Sequence, residues 1–178
     1  MKQADPVEIS GRKRDSAFAI LFGRFQLWAA DGSEVVISNR RARALLAMLC
    51  LVGNEAIDRD FLSKLLWAGR FEAHAKASLR QCLLDLGKLL APCGNDILII
   101  TRSSVALRAD AIPTELDRLE QAFARADYAA VIAGLTAIGT KPILDQMDFG
   151  DAFNDWVARR SGDAEKRLKD VVESGLAD

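Results

Sequence analysis

Residues 73–107, AHAKASLRQCLLDLGKLLAPCGNDILIITRSSVAL, decide the fold of this chain. Ala73 to Leu90 reads as one long helix. With Leu79 set to zero on a wheel of about 100° per residue, Cys82, Leu83, Leu86 and Leu90 fall within about 60° of it. Pro92 cannot continue the helix. Ile97–Thr101 and Val105–Leu107 are β-rich runs joined by the short turn Arg102-Ser103-Ser104. A long amphipathic helix followed at once by a two-stranded hairpin is the order of a helix-turn-helix carrying a wing.

Working upstream, Asp58 is a good N-cap. Phe61, Leu62, Leu65 and Leu66 supply the buried face of a second helix that ends near Trp67-Ala68-Gly69. Before it, Ala44, Leu45, Met48, Leu49 and Val52 recur at helical spacing from Arg40 onward, with Ser38 or Asn39 as cap and Gly53-Asn54 as stop. Ala56-Ile57 is too short to stand alone as a strand. Ala17–Leu21, Phe25–Trp28 and Val35–Ile37, separated by Gly23-Arg24 and Asp31-Gly32, predict a small antiparallel meander. Residues 1–16 are polar and weakly basic and are expected to form a disordered tail.

Downstream, Pro113 marks a boundary, and Thr114 with Asp117 has the pattern of a capping box. Leu116, Leu119, Phe123 and Ala126 predict one helix; Tyr128, Val131, Ile132 and Leu135 predict another. Gly139–Asp148 reads as a loop. Phe149, Phe153, Trp156 and Val157 then predict a third helix, and Leu168, Val171, Val172 and Leu176 a fourth. The expected fold class is α+β: a winged helix-turn-helix over residues 17–112, then an all-α helical-hairpin segment over residues 113–178.

Composition narrows the function. The chain has 178 residues, half of them hydrophobic and 28% charged, which suits a packed soluble protein rather than a disordered one. No run approaches the ~18 apolar residues needed to span a bilayer, and the N-terminus lacks the apolar core of a secretory signal. A cytoplasmic location is expected. Cys50, Cys82 and Cys93 form no C-x-x-C pair, and His74 is the only histidine, so no metal site and no cofactor is expected. No phosphate-binding glycine loop, nucleophile elbow or dinucleotide fingerprint is present, and no catalytic residue is assigned. Net charge is −1, but residues 1–112 carry 16 Lys+Arg against 12 Asp+Glu while residues 113–178 carry 8 against 13. That asymmetry fits two parts with different partners, the first meeting double-stranded DNA.

The face of the long helix opposite Leu79 presents His74, Ala77, Arg80, Gln81, Leu84, Asp85 and Lys88. Arg80 and Gln81 are the base-reading candidates, because arginine pairs bidentately with guanine and glutamine with adenine. Lys76, Lys88 and Arg102 suit phosphates, which fix position rather than sequence. Leu84 belongs to the same expected DNA-binding face. Arg40, Arg41 and Arg43 open the first helix, where the macrodipole does not favour cations, and are read as a second phosphate grip.

These residues resemble a known family. Asn39-Arg40-Arg41-Ala42-Arg43-Ala44-Leu45-Leu46-Ala47-Met48-Leu49 is similar to the first-helix signature of the SARP-type regulators, the antibiotic regulatory proteins. Arg59-Asp60-Phe61-Leu62 with Leu65-Leu66-Trp67 resembles their second helix. Ala77-Ser78-Leu79-Arg80-Gln81 with Leu83 and Leu86 resembles their recognition helix, and Ile99-Ile100-Thr101-Arg102 the start of their wing. Leu116-Asp117 through Phe123 and Phe153–Arg159 resemble pieces of the bacterial transcriptional activator domain that follows. The resemblance implies an OmpR-like winged helix that binds repeated DNA half-sites, and a helical segment that mediates homodimerisation or contact with RNA polymerase. The chain departs from the family at Leu84, Asp85 and Gly87, and its wing turn lacks the usual glycine. The activator-like part is about half the family's length, which implies a fragment of a larger protein or a divergent member. Leu84 and Asp85 also keep a second reading open: a winged helix that has lost DNA affinity and docks another protein.

Overall fold

A computed structural model describes residues 16–176. The expected N-terminal tail therefore lies, except for Ser16, outside the described residues. Strands β1 (Phe18–Ile20) and β2 (Gln26–Trp28) pair antiparallel, with Ala19 opposite Leu27. The turn Asp31-Gly32 follows, with Asp31 Oδ1 accepting from the Ser33 amide and hydroxyl. The expected third strand at Val35–Ile37 does not form. One bridge joins Trp28 to Glu34, and the Val35 amide donates to the Leu27 carbonyl at 2.8 Å. The chain then leaves β2, so that Ile37 is buried and Asn39 can cap the next helix.

Helix α1 (Arg40–Val52) starts where Asn39 Oδ1 accepts the amides of Arg41 and Ala42. Every residue from Ala44 to Cys50 is buried, so α1 is covered on all sides rather than on one face. Gly53 ends it at φ 66°, a conformation L side chains rarely adopt. Strand β3 (Ile57–Asp58) does form, correcting the expectation for Ala56-Ile57. Its partner is distant in sequence: Ile57 pairs with Val105 and Asp58 with Ser104. Asp58 also caps α2 (Arg59–Leu66) through the Phe61 amide.

Helix α3 (Glu72–Leu89) packs against α2 and α1. A short 3-10 turn, Ala91–Cys93, leads to β4 (Leu98–Ile100) and β5 (Ser104–Leu107). The second sheet has the order β3-β5-β4, antiparallel throughout. The arrangement is compatible with a winged-helix fold.

After Pro113 the described residues are helical apart from their connections. Thr114 and Asp117 form the expected reciprocal capping box at the start of α4 (Glu115–Ala124). Three residues lead to α5 (Tyr128–Ile138), whose amide end is capped by Asp127. The two helices approach closely at Gly134, where a Cβ would lie 2.7 Å from Leu119 Cδ2. The expected third and fourth helices of this segment are instead one helix, α6 (Asp151–Leu176). The apolar-poor stretch around Ser161-Gly162 holds no proline and leaves the backbone ladder intact.

Helix α6 lays Phe153 and Trp156 into the core beside α1 and α2. One apolar core therefore runs from Ala17 to Val171. The N-terminal hairpin is tied to the helical segment by backbone hydrogen bonds. Ala19 N donates to Pro113 O at 3.0 Å, Gly23 N to Pro142 O at 2.7 Å, and Leu144 N to Leu21 O at 2.9 Å. The Glu115 carboxylate adds two contacts, accepting from Leu21 N at 2.6 Å and Phe22 N at 2.9 Å.

Candidate nucleic-acid interface

Leu79, Cys82, Leu83 and Leu86 hold α3 against the core, and Trp67 is buried just before it, as their spacing predicts. The opposite face is left to solvent. His74, Ala77, Arg80, Gln81, Leu84 and Lys88 are exposed there. Among the described residues, the side chains of Arg80, Lys88 and Arg102 have no hydrogen-bond or ion-pair partner. Gln81 is different: its Nε2 donates to Asp85 Oδ1 at 3.0 Å. The i,i+4 spacing of the two residues was the sequence signal for that contact. The contact occupies one of the two amide N–H groups of Gln81.

The wing is held by means that local pattern did not reveal. Thr101 Oγ1 accepts the Ser104 amide at 2.9 Å and the Ser103 amide at 3.3 Å. A side-chain oxygen thus closes the turn without glycine. Arg59 anchors the hairpin from α2: its amide donates to Ser103 O at 2.8 Å and its Nη1 to Thr101 O at 2.9 Å. Arg102, at the tip, is exposed.

Of the other expected cations, Lys76, Arg40 and Arg41 have partners inside the molecule. Lys76 sits between Glu72 at 2.6 Å and Asp60 at 3.1 Å, and those contacts raise the pKa of its amine. Arg40 donates to Asp148 O at 3.1 Å and lies over the Phe149 ring. Arg41 donates to Leu66 O at 2.8 Å and lies over Trp67. Arg43 is half-buried beside Gln26 and the Val35–Ile37 stretch. The structure thus directs the arginines that open α1 to three different neighbours.

No group of three or more His, Cys, Asp or Glu side chains among the described residues could hold a metal ion. The three thiols are free, and burial pushes that of Cys82 up to about 11. A cleft of about 730 Å³ lies away from α3, between the end of α1, the segment after β5, and α4 and α6. Within it Arg167 forks to Glu120 at 2.8 Å and to Asp117 at 2.9 Å. No described helix is long and apolar enough to cross a membrane.

The fold is similar to that of Mycobacterium tuberculosis EmbR, solved in complex with a low-affinity phosphopeptide. The TM-score is 0.64 and the identity 23%, over 93% of this chain and 46% of that one. The chain thus spans about half the length of the EmbR chain. At this identity the likeness is one of fold. The sequence matches no family model and no curated protein.

Proposed function

We propose that this chain is a sequence-specific DNA-binding regulator of transcription. Helix α3 would read the major groove, and the β4–β5 wing would hold the flanking backbone. One observation carries the reading: an exposed helix face with two unpartnered cations, Arg80 and Lys88, is followed in the chain by a hairpin tipped by a third, Arg102. Surface cations without carboxylate partners are free to displace counterions from phosphate. The likeness in fold to EmbR supports the winged-helix arrangement on which this reading rests. Arg80 and Gln81 are assigned to bases, and Lys88 and Arg102 to phosphates. Lys76 can join the phosphate contacts, because exposed ion pairs such as those it makes with Glu72 and Asp60 are weak. Arg40 and Arg41 act chiefly as tethers between α1 and its neighbours.

The helical segment is assigned to self-association. Helix α5 carries no charged residue, and Tyr128 and Ile132 on it are exposed. An uncharged helix face fits a second copy of itself better than a charged partner. Contact with RNA polymerase remains the alternative assignment for this segment.

Titration of the purified chain against random and selected duplexes at several salt concentrations tests the proposal. Lys88→Ala should weaken every sequence alike and lower the salt slope by about one unit. Arg80→Ala should cost about 1–3 kcal/mol on the selected site and relax preference at one position. Light scattering on the same samples counts protomers per site. If binding to all duplexes is equally weak and neither change alters it, the exposed face is a protein-docking surface instead.

A further inference from the structure

Leu84 is 56% exposed on α3, while Leu79, Leu83 and Leu86 on the same helix are buried. On a helical wheel it stands near the pole opposite the core, four residues after Arg80 and four before Lys88. An exposed leucine at this place is not explained by packing. Its neighbours within a helical turn on the exposed side of α3 are Arg80, Gln81, Asp85, Gly87 and Lys88, so along its own helix it is ringed by polar or small residues rather than by the apolar ones that mark a protein-docking surface. Ala77 and Gly87 on the same side are small, which lets the helix backbone approach whatever it meets.

We propose that Leu84 reads the methyl group of a thymine in the major groove, close to the base contacted by Arg80. The inference rests on the DNA-binding reading above. A leucine side chain has no donor or acceptor, so phosphate and most base edges offer it nothing. The thymine 5-methyl is the apolar group that the major groove displays. Four residues of helix advance about 6 Å, which is roughly two base-pair steps of about 3.4 Å. The preferred site should therefore carry a guanine and a thymine within about two base pairs of each other. Arg80 and Lys88, on either side along the helix, would hold Leu84 in the groove by their own contacts. Gln81, fixed by Asp85, would read a further base beside them.

The test uses deoxyuridine, which differs from thymidine only by the missing methyl. Sites are first selected from random duplexes with the full chain. Each thymine of the preferred site is then replaced singly, and binding is titrated for the wild type and for Leu84→Ala. The expected result is one position at which the replacement weakens wild-type binding roughly fourfold, the value of one buried methyl. At that position Leu84→Ala should bind thymine and uracil duplexes equally. Because Leu84 is exposed, the variant should melt with the wild type, and a thermal scan checks that it does. Sequence-selective binding with no sensitive thymine would overturn the inference and leave the DNA-binding reading standing. So would a sensitive thymine whose effect persists in Leu84→Ala. Absence of any sequence-selective binding would overturn both.

Discussion

Asp85 places a negative charge on the face that would meet phosphate, and its hydrogen bond to Gln81 gives that charge a use. Gln81 has two amide N–H groups and one carbonyl oxygen. With one N–H held by Asp85, the rest remain for a base edge in a fixed orientation. Repulsion and orientation can be separated. Asp85→Asn keeps an acceptor for Gln81 and removes the charge, so it should tighten binding to all duplexes several-fold while keeping the base preference. Asp85→Ala removes both, so it should tighten binding and flatten the preference at one position. Selection on random duplexes with the two variants checks this; identical profiles would show that Asp85 does not orient Gln81. At this scale the sequence was legible where partners are near in the chain. The buried set of Leu79, Cys82, Leu83 and Leu86 follows from spacing alone. The partners of Arg40 and Arg41 do not, because they are backbone carbonyls of Asp148 and Leu66, which no side-chain pattern announces.

Elements were legible to the extent that their periodicity is internal. Helices α1 to α5 and the wing are visible in apolar spacing and caps. Strand β3 is not, because two residues become a strand only when β5 is brought alongside. Val35–Ile37 shows the reverse: its composition suits a strand, but the need to bury Ile37 and cap α1 takes it away from β2. Helix α6 was read as two helices from the gap between its apolar clusters, and Gly162 in that gap sharpens the point. A Cβ at Gly162 would meet nothing within 4 Å, whereas one at Gly134 would lie 2.7 Å from Leu119 Cδ2. Both glycines lie within helices, where alanine is intrinsically favoured by about 1 kcal/mol. Gly162→Ala should therefore raise stability by up to about 1 kcal/mol. Gly134→Ala should lower it by about 1–3 kcal/mol, because Leu119 must move to admit the methyl. Denaturant melts of the two variants decide this, and a gain from both would mean that α4 and α5 are not packed closely at Gly134.

Across the whole molecule, Glu115 is where the N-terminal hairpin meets the helical segment. Its Oε1 takes the Leu21 and Phe22 amides, while Oε2 is buried without a partner among the described residues. Burial raises the pKa of the carboxyl from 4.5 to about 7, with the nearby Asp117 charge adding to the effect, although the Phe22 and Leu21 amides pull it down. The local sequence showed only an acidic residue in the first turn of a capped helix, where a solvated carboxylate is the ordinary reading. Its burial depends on the loop between β1 and β2, more than ninety residues earlier. The sign of its effect on stability follows from proton uptake. Below about pH 4.5 the group is protonated in both folded and unfolded chains, and its contribution is constant. Between about pH 4.5 and 7 the unfolded chain releases the proton and the folded chain keeps it, so stability falls as pH rises. Above about pH 7 both forms are ionised and the loss is complete, at most on the order of 3 kcal/mol for a shift of this size. Glu115→Gln cannot titrate, and its amide oxygen still accepts from Leu21 and Phe22. The variant should match or fall below the wild type near pH 4.5 and gain on it steadily up to about pH 7. Thermal melts of both proteins across that range measure the difference. Curves that stay parallel would show that Glu115 is already solvated and that the hairpin is held to the helical segment by its backbone bonds alone.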